Sequence, residues 1–333
     1  MTVGPFSLFG LERSRELAAC VADRLGVTLA AHEERNFEDG EHKARPLEDV
    51  RGHDAFVLHA LYGDDEESGN DKLCRLLFFC GALKDAGAER VTAVTPYLCY
   101  ARKDRRTKPQ DPITTRYVGA MFAALAIDRV IAFEVHNVAA FENAFRCPTW
   151  HIESAKLFAA HLAPLLGGAP VAAVSPDAGG AKRAEAFRQA LEERTGKEVG
   201  SAYMEKFRSS GVVRGQILAG DVRGRTAVII DDLISTGGTL VRAAEACRAA
   251  GATRVIAAAA HGLFVEGAPA LFATPAIDEV LVAGTVPPFR LGPEARSRLA
   301  VLDASEAIAG ALAACHRGSP KMDPETGQCT SDP

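Results

Sequence analysis

Short apolar runs alternate along the chain with longer stretches whose apolar positions recur every three to four residues. The short runs predict strands at 55–59, 90–95, 129–134, 171–175, 226–230, 254–260 and 279–282. The longer stretches predict helices at 11–25, 70–86, 114–125, 181–193, 239–249 and 305–315. Runs such as Ala227-Val228-Ile229-Ile230 lack polar alternation, which fits strands covered on both faces. Strands and helices in this alternation predict an α/β fold of mainly parallel sheets flanked by helices.

A division near residue 150 leaves each half with its own strand–helix series, so domains are expected at 1–150 and 151–317. The halves echo each other: 85–91 and 249–255 each end a helix at a glycine (Gly87, Gly251) and start a strand. Residues 318–333 are polar, contain Pro and show no periodicity, so a disordered tail is expected there.

The 333 residues suit about two domains, and 47% apolar content suits a full core. A net charge of −5 speaks against a nucleic-acid-coating protein. No apolar run reaches the ~18 residues of a membrane span. The first residues lack a basic and then apolar leader. Eight scattered cysteines without a Cys-x-x-Cys pair, mostly in apolar surroundings, predict reduced core thiols and a cytoplasmic setting.

The segment 226–240 carries the sharpest chemistry. An apolar strand runs into Asp231-Asp232, then Ser235, Thr236, Gly237, Gly238 and Thr239 open a helix. Carboxylates accept hydrogen bonds from sugar hydroxyls. Free backbone N–H groups, hydroxyls and a helix N-terminus hold phosphate. Together they suit a ribose 5-phosphate. Adjacent strand residues point to opposite faces, so one aspartate is expected to face the ribose and the other a metal-bound water or a basic group.

A second turn, 175–183, contains Asp177, Gly179 and Gly180 and ends in Lys182-Arg183, cations able to pair with those aspartates. Asp177 stands at a strand's C-terminal end, where parallel sheets bind ligands. It equally suits an ordinary helix-start turn. Lys206 and Arg208 precede a polar, Gly-containing stretch expected to move and to close over a polyphosphate. In the first half, Phe37, Asp39, Gly40 and Glu41 form an acidic turn, Arg102 and Lys103 follow aromatics after a strand, and His136 ends another. No G-x-x-x-x-G-K-[ST] or G-x-G-x-x-G segment is present.

In this order the segments resemble the ribose-phosphate pyrophosphokinase family, over residues 6–287. The run Ser175-Pro176-Asp177-Ala178-Gly179-Gly180-Ala181-Lys182-Arg183 is its most specific element. The resemblance implies two phosphoribosyltransferase-like domains and Mg²⁺-dependent transfer of the ATP β,γ-diphosphoryl group to O1 of ribose 5-phosphate. By similarity, Phe37, Asp39, Gly40, Glu41, Arg102 and Lys103 would lie at ATP, and His136 and Asp177 would hold Mg²⁺ or its waters. Lys206 would be catalytic, with Arg208. Arg208, Asp231, Asp232 and Ser235, Thr236, Gly237, Gly238 and Thr239 would bind ribose 5-phosphate or the transferred group. Family members assemble, so a homo-oligomer is expected. The chain departs from the family at Lys103 (commonly Gln), Glu134 (commonly Asp) and Ser235 (often Asp). Two other readings stand beside this one: a phosphoribosyltransferase that consumes phosphoribosyl diphosphate, and a non-catalytic paralogue that binds a true synthetase.

Overall fold

The computed structural model describes residues 4–209 and 212–317, with backbone alone for 206–209 and 212–216. The expected disordered tail lies outside the described residues. The chain separates into two compact units: one comprises the residues up to Ile152 together with the helix at Ser305–His316, the other Glu153–Ala304.

The first unit contains β1 (Phe6–Gly10), α1 (Arg15–Leu25), β2 (His32–Asn36), β3 (His42–Pro46), β4 (Asp54–Leu58), α2 (Gly69–Asp85), β5 (Arg90–Thr95), α3 (Thr114–Ala124), β6 (Arg129–Phe133), α4 (Val138–Ala144) and β7 (Thr149–Ile152). Its main sheet is parallel throughout, in the order β1-β4-β5-β6-β7. Ala55 and Val57 face a core that includes Leu76 and Phe79 of α2, Phe122 of α3 and Phe141 of α4. β2 and β3 pair only with each other, as an antiparallel hairpin. Their half-buried to exposed, mostly polar residues carry no apolar run, so hydrophobic pattern could not announce them. α2 starts where Ser68 and Asp71 form a capping box: Ser68 Oγ accepts from Asp71 N at 3.2 Å, and Asp71 Oδ2 accepts from Ser68 N at 2.7 Å.

The second unit contains α5 (Ala155–Leu166), β8 (Val171–Ser175), α6 (Ala181–Thr195), β9 (Gly200–Ser209), β10 (Val212–Gly220), β11 (Thr226–Ile234), α7 (Gly238–Ala249), β12 (Arg254–Gly262), α8 (Pro269–Ala273), β13 (Glu279–Ala283), α9 (Pro293–Ser297) and β14 (Leu299–Leu302). The sheet order is β10-β9-β8-β11-β12-β13-β14, parallel except for β9–β10. From β8 the chain builds outward to β9 on one side and to β11 on the other, so the order reverses between β8 and β11. A crevice opens at such a reversal, at the C-terminal ends of the strands.

One expectation changes here. Helix α10 (Ser305–His316) belongs with the first unit, whereas the division at 151–317 put it in the second half. Arg129 Nη1 donates to Cys315 O at 2.9 Å, and His316 lies 3.0 Å from Asp54 Oδ2 and edge-on to Phe6. These contacts are long-range and leave no local trace. Lys206 and Arg208 lie on strand β9, and the polar stretch expected to move after them falls, at residues 210–211, outside the described residues. Lys206 is opposite Gln216 and Arg208 opposite Val213 in the ladder.

Candidate functional site

β8 and β11 are in register from Val171–Thr226 to Val174–Ile229, and there the pairing stops. β11 continues to Ile234, supported on one side by β12. Asp231 and Asp232 therefore lie on the part of β11 that runs past the end of β8 while still paired to β12, beside the turn that follows β8. Both approach one cation: Arg183 Nη1 lies 3.9 Å from Asp231 Oδ1 and 4.0 Å from Asp232 Oδ1. The two side chains, consecutive on β11, thus share a cationic neighbour, and Asp231 is also tied to the adjoining backbone. Its Oδ1 accepts from Asp232 N at 2.8 Å. Lys182, the neighbouring candidate partner, is exposed.

Burial raises the Asp231 carboxyl well above the ordinary carboxylate range. Its hydrogen bond with Asp232 and that residue's charge add to the shift, and Arg183 opposes it. In the ligand-free protein the pair therefore tends to share a proton.

After Ile234 the chain turns through Ser235–Gly237, held where Leu263 N donates to Ile234 O at 2.9 Å and Val265 N to Ser235 O at 3.1 Å. Gly237 precedes α7 with φ +78°, and no side chain caps the helix. The first-turn N–H groups of α7 are thus offered outward, as an anion site requires. A β-carbon at Gly237 would meet Leu271 Cβ of α8 at 3.0 Å, so glycine is needed for both conformation and space. Arg242, not anticipated from sequence, donates to Thr239 Oγ1 at 3.3 Å and places a cation beside this loop. Its spacing of three from Thr239 on a helix was the available signal.

Asp177 sits in the β8–α6 turn, where its Oδ1 accepts from Gly179 N and Gly180 N, each at 2.9 Å. It therefore shapes the turn, the ordinary role weighed above, and its second oxygen is left for other partners. In the first unit, Arg102 and Lys103 are exposed in the loop after β5, and His136 is exposed after β6. Asn137 joins them: its Nδ2 donates to Asp104 Oδ2 at 2.8 Å while its Oδ1 caps α4. Phe37, Asp39, Gly40 and Glu41 form the turn of the β2–β3 hairpin, closed by Phe37 N donating to Glu41 O at 2.8 Å. Gly40 and Glu41 line a cavity of about 700 Å³ with His42, Asp71, Arg75 and Phe78. The side chains of Lys206 and Arg208 lie outside the described residues. Among the described residues no three His, Cys, Asp or Glu side chains form a metal cage.

Residues 6–125 match the family model of the N-terminal domain of ribose phosphate pyrophosphokinase. Residues 147–264 match the phosphoribosyl transferase domain, and 213–322 the phosphoribosyl synthetase-associated domain. Ribose-phosphate pyrophosphokinase 1 of Streptococcus mutans is 33% identical over 287 residues, 86% of this chain and 87% of that one. The chain belongs to the ribose-phosphate pyrophosphokinase family. Another member, from Pasteurella multocida, is 34% identical over 309 residues, 92% of this chain and 94% of its own. The fold agrees as well. The crystal structure of phosphoribosylpyrophosphate synthetase from Mycobacterium smegmatis superposes with a TM-score of 0.81 at 31% identity, covering 94% of this chain and 99% of that one. As in that family, both units are α/β layers built on mainly parallel sheets.

Proposed function

We propose that the chain transfers the β,γ-diphosphoryl group of ATP to O1 of ribose 5-phosphate, giving 5-phosphoribosyl 1-diphosphate and AMP with Mg²⁺. The observation that carries this reading is the β11–α7 segment: two converging carboxylates beside a helix N-terminus that no side chain caps. The 5-phosphate would rest on the N–H groups and hydroxyls of Ser235, Thr236, Gly237, Gly238 and Thr239, and the ribose hydroxyls would donate to Asp231 and Asp232. Family membership favours ATP as donor, with Phe37, Asp39, Gly40, Glu41, Arg102 and Lys103 around it.

Asp177 and His136, each taken in its own unit, suit contacts to Mg²⁺ or to its bound waters. Asp177 offers a hard oxygen on a carboxylate already fixed by two N–H groups, and His136 is exposed at a strand end. When bound, Mg²⁺ supplies charge neutralisation on the diphosphoryl oxygens.

In the reaction, O1 of the sugar attacks the β-phosphorus. The bond from that phosphorus to the α,β-bridging oxygen breaks, AMP leaves with the oxygen, and the hydroxyl proton passes to solvent. No protein nucleophile is required. The chain's part is to align the two substrates and to offset charge with Lys206 and Arg208. Free cysteines, several of them buried, fit a reducing, cytoplasmic setting. Assembly into a homo-oligomer is part of the proposal.

The test mixes protein, Mg²⁺, ATP and ribose 5-phosphate and follows AMP and phosphoribosyl diphosphate. Base-dependent diphosphate release without ATP would instead favour a phosphoribosyltransferase. Neither activity, together with co-purification of an active synthetase, would favour a non-catalytic member. Lys206→Ala should lower kcat by about 10²–10³-fold and leave the circular dichroism unchanged.

A further inference from the structure

The cavity bordered by the β2–β3 hairpin, the loop before α2 and α2 itself lies within the first unit. Its volume of about 700 Å³ suits a small molecule. Arg75 of α2 lines it while only 8% exposed, and its Nη2 donates to Asn36 Oδ1 of β2 at 2.6 Å. Its Nε lies 3.0 Å from Glu67 Oε1, as an ion pair. Yet Arg75 Nε, Glu67 Oε2 and His42 Nε2 are all buried without a hydrogen-bond partner among the described residues. Buried polar atoms are costly to leave unbonded, and three on the wall of one cavity mark a place for an occupant that bonds to them.

These atoms set the chemistry of that occupant. Arg75 Nε needs an acceptor, and the neighbouring Glu67 carboxylate needs a donor. Burial raises the Glu67 carboxyl while Arg75, Arg13 and Lys72 oppose the rise, so a cation placed against it would favour its ionised form. Burial and the Arg75 charge hold His42 toward neutral imidazole, which can donate or accept according to tautomer. His42 stacks on Phe78, ring centroids 5.5 Å apart and planes 16° from parallel. Phe78 is 59% exposed and offers an apolar surface beside the polar groups. A polyphosphate would meet Glu41, Glu66, Glu67 and Asp71 against two guanidiniums, so charge disfavours it. An amine alone leaves Arg75 Nε unmatched, and an anion alone leaves Glu67 unmatched.

We infer that the cavity binds a free α-amino acid with an apolar or aromatic side chain, its carboxylate on Arg75, its ammonium on Glu67 and its side chain against Phe78. These three residues and His42 take no part in the reaction proposed above, so the site stands or falls independently of that reading.

The experiment measures binding of L-phenylalanine and L-leucine to the full chain by calorimetry. Beside them it tests 3-phenylpropionate, which lacks the ammonium, phenethylamine, which lacks the carboxylate, and adenosine. The amino acids should bind, and each singly charged analogue should bind at least about tenfold more weakly. Glu67→Gln and Arg75→Gln should each weaken L-phenylalanine by about tenfold or more. Phe78→Ala removes an exposed ring, so thermal melting should stay near the parent's while L-phenylalanine affinity falls. No binding of either amino acid would overturn the inference, as would equal affinity for an analogue lacking one charge. L-phenylalanine affinity unchanged in Phe78→Ala or Glu67→Gln would overturn it too. Tighter binding of adenosine than of either amino acid would give the cavity to a nucleobase instead.

Discussion

The space that a side chain at Gly237 would need is taken by Leu271, whose Cβ lies 3.0 Å from where that β-carbon would be. Gly237→Ala also forces a left-handed residue, at a cost of about 1–2 kcal/mol. The expected outcome is lowered stability in urea and at least a tenfold weaker affinity for ribose 5-phosphate. Adding Leu271→Ala should relieve the clash but not the backbone cost. If the single variant binds as well as the parent, the loop is not held as described.

Asp177 has two separable roles. Asp177→Asn retains an acceptor for Gly179 N and Gly180 N, so the turn should survive with little change in melting temperature. Asp177→Ala removes both bonds and should cost about 1–3 kcal/mol. Both variants should require more Mg²⁺ for half-maximal AMP formation. An unaltered Mg²⁺ dependence in Asp177→Asn would confine the residue to shaping the turn.

Asp231 has an opposite sign from the usual paired carboxylate. Its folded-state value is raised, so between the ordinary carboxylate range and that raised value the folded protein holds more protons than the unfolded chain. Stability contributed below this window is lost as pH rises through it. Asp231→Asn should abolish that decline, matching the parent at low pH and exceeding it at alkaline pH. It should also weaken ribose 5-phosphate binding. Thermal melts across the pH range give the comparison, and parallel curves for the two proteins would contradict the assigned shift.

In the first unit, Lys72 is fully buried with Nζ 2.6 Å from Asp64 Oδ2 and 3.6 Å above the Tyr62 ring. Asp64 Oδ1 also accepts from Glu66 N and Glu67 N. Asp64→Asn leaves the ammonium buried without its counter-charge and should destabilise by about 3–5 kcal/mol. Lys72→Met should cost less, because Asp64 keeps its backbone donors. Equal losses in the two variants, measured by urea unfolding, would show that the burial of Lys72 is not what sets the cost.

The hydrophobic pattern by itself determined the α/β class and most central elements. β5 and β8 have the limits read from sequence, and α3 and α6 fall within two residues of theirs. That follows from continuous burial: a strand covered on both faces must be apolar along its length. Asp231-Asp232 and the Gly237-Gly238 turn were equally legible, since a strand end, a run of hydroxyls and a glycine N-cap are local signals.

The β2–β3 and β9–β10 hairpins were not legible, because their ladders satisfy backbone groups without an apolar run. Only the tertiary structure decided that α10 joins the first unit through Arg129 and Asp54, residues more than a hundred positions away in sequence. Only it decided that both aspartates turn to Arg183, because β8 ends while β11 continues. The sequence supplied these charges and suggested their pairing. Their shared geometry depends on where neighbouring strands stop, which no single segment encodes.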